Sequence, residues 1–323
     1  QLTTKQKSQL VASYGNQEEA AKRIEAAQAA KADDPPLFGF IPRNPVKEAG
    51  RALEGGLLPL MFFSLVFGIA LSMIEGEKAL PMKQFLEGLF AVSLKMIDLA
   101  MKLAPIGVFA LIFFAASQLG ADLLKALGLY VVLVVGVLAI HLFVVYSLAI
   151  KFIAKRNPRE FFGQMRTVML TAFATSSSNA TLPAALRAAE EDLGLPRRIS
   201  SFVLTVGATA NQNGTALFEG IAIIFLSSMF GVTLDLGQQF TVMLLAIVAG
   251  IGTAGVPGGS LPLIGLILTR FGVPAEAIGL IMGVDRICDM SRTVLNVTGD
   301  MTIAACVSAM EPKDPADVAP ADD

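Results

Sequence analysis

GIGTAGVPGGS, Gly250 to Ser260, lies at the centre of a run from Leu236 to Thr269 that carries no charged residue. The flanks are apolar enough for hydrocarbon, but the glycines and the proline between them interrupt a helix. A second stretch has the same design: FFGQMRTVMLTAFATSSSNATLPAALRAA, Phe161 to Ala189, sets Ser176, Ser177 and Ser178 at its middle. Irregular backbone at membrane depth leaves amides and carbonyls unpaired, so it persists only inside protein or against a wet cavity. Both stretches are therefore predicted to be re-entrant hairpins with functional tips.

The composition agrees with a membrane setting. Hydrophobic residues make up 54% of the 323-residue chain, charged residues only 16%, and the mean hydropathy is +0.64. That balance lies outside the range of ordinary soluble domains. A net charge of -2 and the lack of a basic, aromatic-interleaved patch exclude nucleic acid as a partner. Cys288, Cys306 and the single histidine, His141, sit in apolar runs without the partners a disulfide or zinc site requires.

Working outward, residues 1–41 read as a polar segment ended by Pro35-Pro36, and 311–323 as a polar tail. Apolar spans are expected over Gly56–Ile74, Phe85–Ser117 and Leu127–Ala154, against the roughly 20 residues a helix needs to cross hydrocarbon. From Lys151 to Arg198 eight basic residues stand against four acidic ones, which places this region on the cytoplasmic side. Each hairpin is followed by a span, Ile199–Phe230 and then Ala275–Met310. Entry from opposite faces makes the two hairpin-plus-helix units inverted repeats, the sequence pointer to a secondary transporter.

The last span reads VDRICDMSRTVLNVTGDM. At about 100° per residue, Asp285, Asp289, Arg292, Asn296 and Asp300 share a stripe roughly 80° wide. Ionisable groups inside a membrane are costly and mark transport paths more often than structural ion pairs. A guanidinium forks onto a carboxylate, and an aspartate takes an ammonium group. Arg292 with Asp289 therefore suits a zwitterion bearing an additional acid. In the preceding span Asn211-Gln212-Asn213-Gly214 breaks the helix within reach of Asp300, and unwound carbonyls beside a carboxylate suit a hard cation such as Na⁺.

In order and spacing, SSSNATLP, GATANQNGTALFEG, GIGTAGVPGG and DMSRTVLNVTGD resemble the glutamate/aspartate transporter family, the vertebrate excitatory amino-acid transporters and prokaryotic dicarboxylate/amino acid:cation symporters. The likeness runs from about Pro42 to Ala309. It implies an all-α multi-pass protein of a plasma or inner membrane. Two inverted hairpin-plus-broken-helix repeats form an elevator transport domain over 155–310, beside part of a trimerisation scaffold over 42–154.

By the same resemblance, Arg292 and Thr215 bind the substrate side-chain carboxylate and Asp289 its amino group. Asn296, Thr293, Ser177 and Ser178 hold the α-carboxylate, and the tip from Ala254 to Gly258, with Val256, closes over the substrate. One Na⁺ site is implied at Asp300 with carbonyls of Gly207, Asn211 and Asn296. A second is implied at carbonyls of Thr209, Gly250, Ile251 and Thr253.

Four positions set this chain against its relatives. Asn213 stands where relatives carry an aspartate that helps build a third sodium site, and it offers oxygen without charge. Ser176 and Met290 stand where archaeal and vertebrate members respectively place an arginine. Glu219, the only charged residue between Ile199 and Leu234, matches a glutamate associated in vertebrate members with proton coupling, so H⁺ joins Na⁺ as a candidate coupling ion. The family also has three further spans ahead of the segment matched by Gly56–Ile74, which implies that this chain is one piece of a longer protein.

The expected function is symport of aspartate or glutamate, with the bilayer and a homotrimer as partners, rather than catalysis. A C4-dicarboxylate symporter is the near alternative, in which Asp289 has no partner on the solute. An intramembrane serine hydrolase at Ser176, Ser177 or Ser178 lacks a base nearby in sequence. A passive anion channel is distinguished by currents that need no sodium gradient.

Overall fold

The structure, a computed structural model, describes residues 44–50, 57–74, 76–119, 121–253 and 258–311. The expected polar segment 1–41, most of the tail 311–323 and Val256 lie outside the described residues. Among the described residues the chain is helical, with no strand. It falls into two compact units. One holds the residues up to Leu123 with Leu226–Thr233 and Leu261–Gly283; the other holds Leu124–Phe225, Leu234–Ser260 and the chain from Val284 onward.

In the first unit α1, Pro45–Gly50, is capped by the Asn44 side chain, which accepts from the backbone N–H groups of Val46 and Lys47 at 3.0 and 3.1 Å. It packs on α2, Leu57–Ser72. Helix α3, Gly76–Leu119, is 44 residues long, or about 66 Å at 1.5 Å per residue, well over the hydrocarbon thickness. It begins at Gly76 rather than at Phe85, because Glu77, Lys78 and Lys83 favour helix without adding hydropathy.

The second unit begins at Leu124, within α4, Ala121–Ile140, which passes through a π turn, His141–Val145, into α5, Tyr146–Phe152. One face of this rod is buried, at Leu127, Tyr130, Val134, Leu138, Leu142, Tyr146 and Ile150, a spacing of three or four residues. Leu129, Val132, Ile140 and Phe143 are exposed on the others. Next come α6, Pro158–Gln164, α7, Arg166–Thr175, and α8, Ser178–Arg187; α7 and α8 pack together as the arms of the first hairpin.

Helix α9, Arg197–Ala210, ends at the expected break, and α10, Asn213–Met229, resumes after it. Helix α11, Leu236–Gly252, opens with a capping box between Asp235 and Gln238 and packs on α9. Helix α12, Leu261–Arg270, and a 3₁₀ turn at Ala275–Ile278 belong to the first unit; α13 runs from Gly279 to Met310, and its residues from Val284 onward belong to the second.

This last element corrects the expectation of two broken helices. Helix α13 is continuous over 32 residues. It lacks proline and an Asn-Gly pair, and its isolated interior glycines, Gly283 and Gly299, weaken a helix without ending it.

The buried groups of the second unit include the polar Glu219, Asp285, Asp289, Arg292 and Asp300 beside an apolar core, while Leu129, Val132, Phe143, Phe202 and other large apolar side chains are exposed. Buried charges together with exposed large apolar side chains are what a hydrocarbon surrounding selects.

Candidate functional site

Helix α13 carries the charged stripe into the second unit, where Asp289, Arg292, Thr293, Asn296 and Asp300 are all buried. Arg292 is 3% exposed. Its Nε donates to Asp289 Oδ1 at 2.9 Å, and its Nη2 lies 2.8 Å from the same oxygen. Nη1 donates to the Ser260 hydroxyl, and the guanidinium carbon stands 4.5 Å from the centroid of the Phe218 ring, close enough for a cation–π contact. Asp289 accepts a further bond through Oδ2 from the Gly258 backbone N–H at 3.3 Å. Gly258 and Ser260 thus reach both members of the pair.

The break between α9 and α10 is held by side chains rather than by the helical ladder. Asn211 Nδ2 donates to Asp300 Oδ1 at 2.7 Å. Gln212 donates from Nε2 to the Ala208 carbonyl at 2.9 Å, while its Oε1 accepts from Asn296 Nδ2 at 2.6 Å and from Thr215 Oγ1 at 3.3 Å. Asn296 Oδ1 accepts from the Gly214 backbone N–H at 2.7 Å, and its Nδ2 also lies 3.2 Å from Thr215 Oγ1. Asn213 donates to the Tyr146 hydroxyl at 3.2 Å, and that hydroxyl donates to the Leu295 carbonyl at 3.3 Å.

Close approach explains two glycines. A Cβ on Gly214 would fall 2.6 Å from the Arg292 carbonyl oxygen, and one on Gly207 would collide with the Asp300 carboxylate. The broken helix can therefore lie against α13 only because these positions lack side chains.

At the first hairpin tip Ser176 takes a left-handed conformation, φ 51°, and turns the chain between α7 and α8. Ser177 caps α8 by accepting from the Ala180 N–H at 3.2 Å, and its carbonyl accepts from Thr181 Oγ1 at 2.8 Å. Ser178 is buried, and the buried Ser176 hydroxyl has no hydrogen-bond partner.

Glu219 is fully buried on α10. Thr253, the residue that ends α11, donates to its Oε1 at 3.4 Å, and its Oε2 has no hydrogen-bond partner. Thr253 also bonds the Ala249 carbonyl at 2.9 Å.

Several of the expected site residues are thus brought into contact. Gly258, Asp289 and Arg292 are linked by hydrogen bonds, as are Thr215 with Asn296, Asn211 with Asp300 and Glu219 with Thr253. Thr293 instead turns its hydroxyl back to the Asp289 carbonyl at 2.8 Å. Thr209 is exposed and bonds the Val206 carbonyl at 3.1 Å, while Gly250 and Ile251 lie in the last turn of α11. The sequence alone assigns no role to Ser260, Phe218 or Tyr146, and names Gln212 only as part of the helix break. A serine directly after a glycine pair at a hairpin tip was the one readable signal among them.

Residues 6–310 match the sodium:dicarboxylate symporter family. The chain is 39% identical over 259 residues to the proton/sodium-glutamate symport protein of Bacillus subtilis (strain 168), covering 80% of this chain and 60% of that protein. It is 38% identical over 259 residues to excitatory amino acid transporter 3 of Mus musculus, covering 80% and 49%. To an excitatory amino acid transporter of Caenorhabditis elegans it is 39% identical over 253 residues, covering 78% and 50%. The chain therefore spans about half to three fifths of the length of these relatives. With a match across nearly all of its helical length, the chain belongs to the sodium:dicarboxylate symporter family.

Proposed function

We propose that the intact protein is a secondary active symporter of acidic amino acids, aspartate or glutamate, driven by Na⁺, with H⁺ as a second coupling ion. The observation that carries this reading is the buried Arg292–Asp289 pair beside the second hairpin tip. A guanidinium and a carboxylate held side by side complement the side-chain carboxylate and the ammonium group of one zwitterionic solute. In this reading Thr215 assists Arg292, while Asn296, Thr293, Ser177 and Ser178 take the α-carboxylate. Val256 and Gly258 belong to the gate.

Supporting Na⁺ coupling, Asp300 faces Asn211 at the helix break, where carbonyls of Gly207, Asn211 and Asn296 are candidate ligands. A second cation would use carbonyls of Thr209, Gly250, Ile251 and Thr253, and Asn213 would contribute at most a neutral oxygen. Glu219 is the proposed proton carrier, buried and with one oxygen unpartnered. The Bacillus relative is by name a proton/sodium-glutamate symport protein, which supports the same pair of ions. A plasma or inner membrane location, a homotrimer, a scaffold within 42–154 and a moving domain within 155–310 belong to the same proposal.

Competition separates this reading from a C4-dicarboxylate carrier. Unlabelled aspartate is expected to suppress uptake of labelled aspartate far more strongly than succinate does. Stronger suppression by succinate would reverse the assignment.

A further inference from the structure

The turn after α5 carries a cluster that the polar core does not use. A surface depression of about 770 Å³ is lined by Ser147, Lys151, Lys155, Arg156, Asn157 and Arg159, with Pro158 completing the wall. Arg156 is committed to structure, its Nη1 donating to the Leu193 carbonyl at 2.7 Å. Lys151, Lys155 and Arg159 are exposed, and among the described residues no carboxylate pairs with them.

Lys155 is the informative residue. It has φ 54°, in the left-handed region, where the Arg156 N–H bonds back to the Ile150 carbonyl at 3.0 Å and closes the helix end. Glycine is the residue that fits such a position without strain. The chain uses it at three other left-handed turns after helices, Gly194, Gly231 and Gly272, and a small serine, Ser176, at the tip between α7 and α8. A topological need for positive charge could be met at any neighbouring position, so it does not account for a lysine placed where glycine fits. Strain retained at one residue points to a use for its side chain.

One residue over from Ser147, Lys151 and Lys155 runs an exposed apolar stripe, Val144, Leu148 and Phe152, at the same four-residue spacing. Cations at the end of a span beside a continuous apolar track complement an amphiphile rather than a free anion.

We propose that this depression is a headgroup site for an anionic phospholipid of the cytoplasmic leaflet. Lys151, Lys155 and Arg159 hold the phosphate, and an acyl chain lies along Val144, Leu148 and Phe152.

The test is the thermal stability of the intact protein in detergent, titrated with phosphatidylglycerol, phosphatidylcholine or inorganic phosphate. Phosphatidylglycerol is expected to stabilise selectively, and each cation removed should weaken its apparent affinity about fivefold. Lys155→Gly is the sharpest variant, because without lipid it should unfold at the same or a higher temperature while losing lipid response. Lys151→Gln with Arg159→Gln should lose that response further, and Arg187→Gln, elsewhere in the basic region, should keep it. The proposal is overturned if the two lipids stabilise equally, if Lys155→Gly responds like the parent, or if Arg187→Gln loses as much. An equal shift with inorganic phosphate would overturn it in favour of a soluble anion.

Discussion

Arg292 and Asp289, one turn apart on α13, form an ion pair at 2.8 Å with both side chains almost wholly buried. Burying two charges is costly, and their attraction compensates only where the remaining donors and acceptors are also satisfied. Here Ser260, the Gly258 N–H and the Phe218 ring supply that completion. The pair is consequently a structural element of the protein as well as the proposed reader of its solute.

Removing one partner should expose that dual role. Asp289→Ala leaves a guanidinium buried without its counter-charge and is expected to cost about 3–5 kcal/mol of stability. Thermal unfolding of the intact protein in detergent measures it. The double variant Asp289→Asn with Arg292→Gln should be less destabilised than Asp289→Ala while taking up no aspartate. An unchanged melting temperature for Asp289→Ala would contradict the buried pairing.

The fit of the broken helix against α13 depends on Gly214. Gly214→Ala places a methyl 2.6 Å from the Arg292 carbonyl and should destabilise by about 1–3 kcal/mol. Gly136→Ala is the control, since nothing lies within 4 Å of its added Cβ. It should be neutral or stabilising by up to about 1 kcal/mol through helix propensity. Equal melting temperatures for the two variants would argue against the close approach.

Asp300 bonds Asn211 across the break at 2.7 Å. If its charge holds a cation there, Asp300→Asn, which keeps the shape and removes the charge, should raise the Na⁺ concentration for half-maximal uptake at least about tenfold, a loss within the range typical of altered metal sites. Unchanged Na⁺ dependence would remove Asp300 from the coupling machinery.

Glu219 separates the two coupling ions. Glu219→Gln preserves an acceptor for Thr253 and removes the exchangeable carboxyl proton. Uptake by this variant should respond to an imposed Na⁺ gradient but no longer to an imposed pH gradient. Retention of the full pH response would place the proton elsewhere.

The sequence revealed those features that depend on local pattern. The break at Asn211-Gln212 could be read because polar residues and a glycine interrupt an apolar helix, and the α13 stripe because its residues recur at helical spacing. Ser260, Phe218, Tyr146 and Gln212 gain their roles from contacts between elements far apart in the chain, and each is an ordinary residue in its own segment. The break expected in α13 follows from the family resemblance alone; its own residues, read at helical spacing, already form one uninterrupted stripe.

Uptake of labelled aspartate into proteoliposomes of the intact protein, with Na⁺ and pH gradients imposed separately, tests the central proposal most directly. An inward Na⁺ gradient should drive accumulation above the external concentration, and Arg292→Gln should abolish it. Equilibration without accumulation, or uptake indifferent to Na⁺, would contradict sodium-coupled symport of an acidic amino acid.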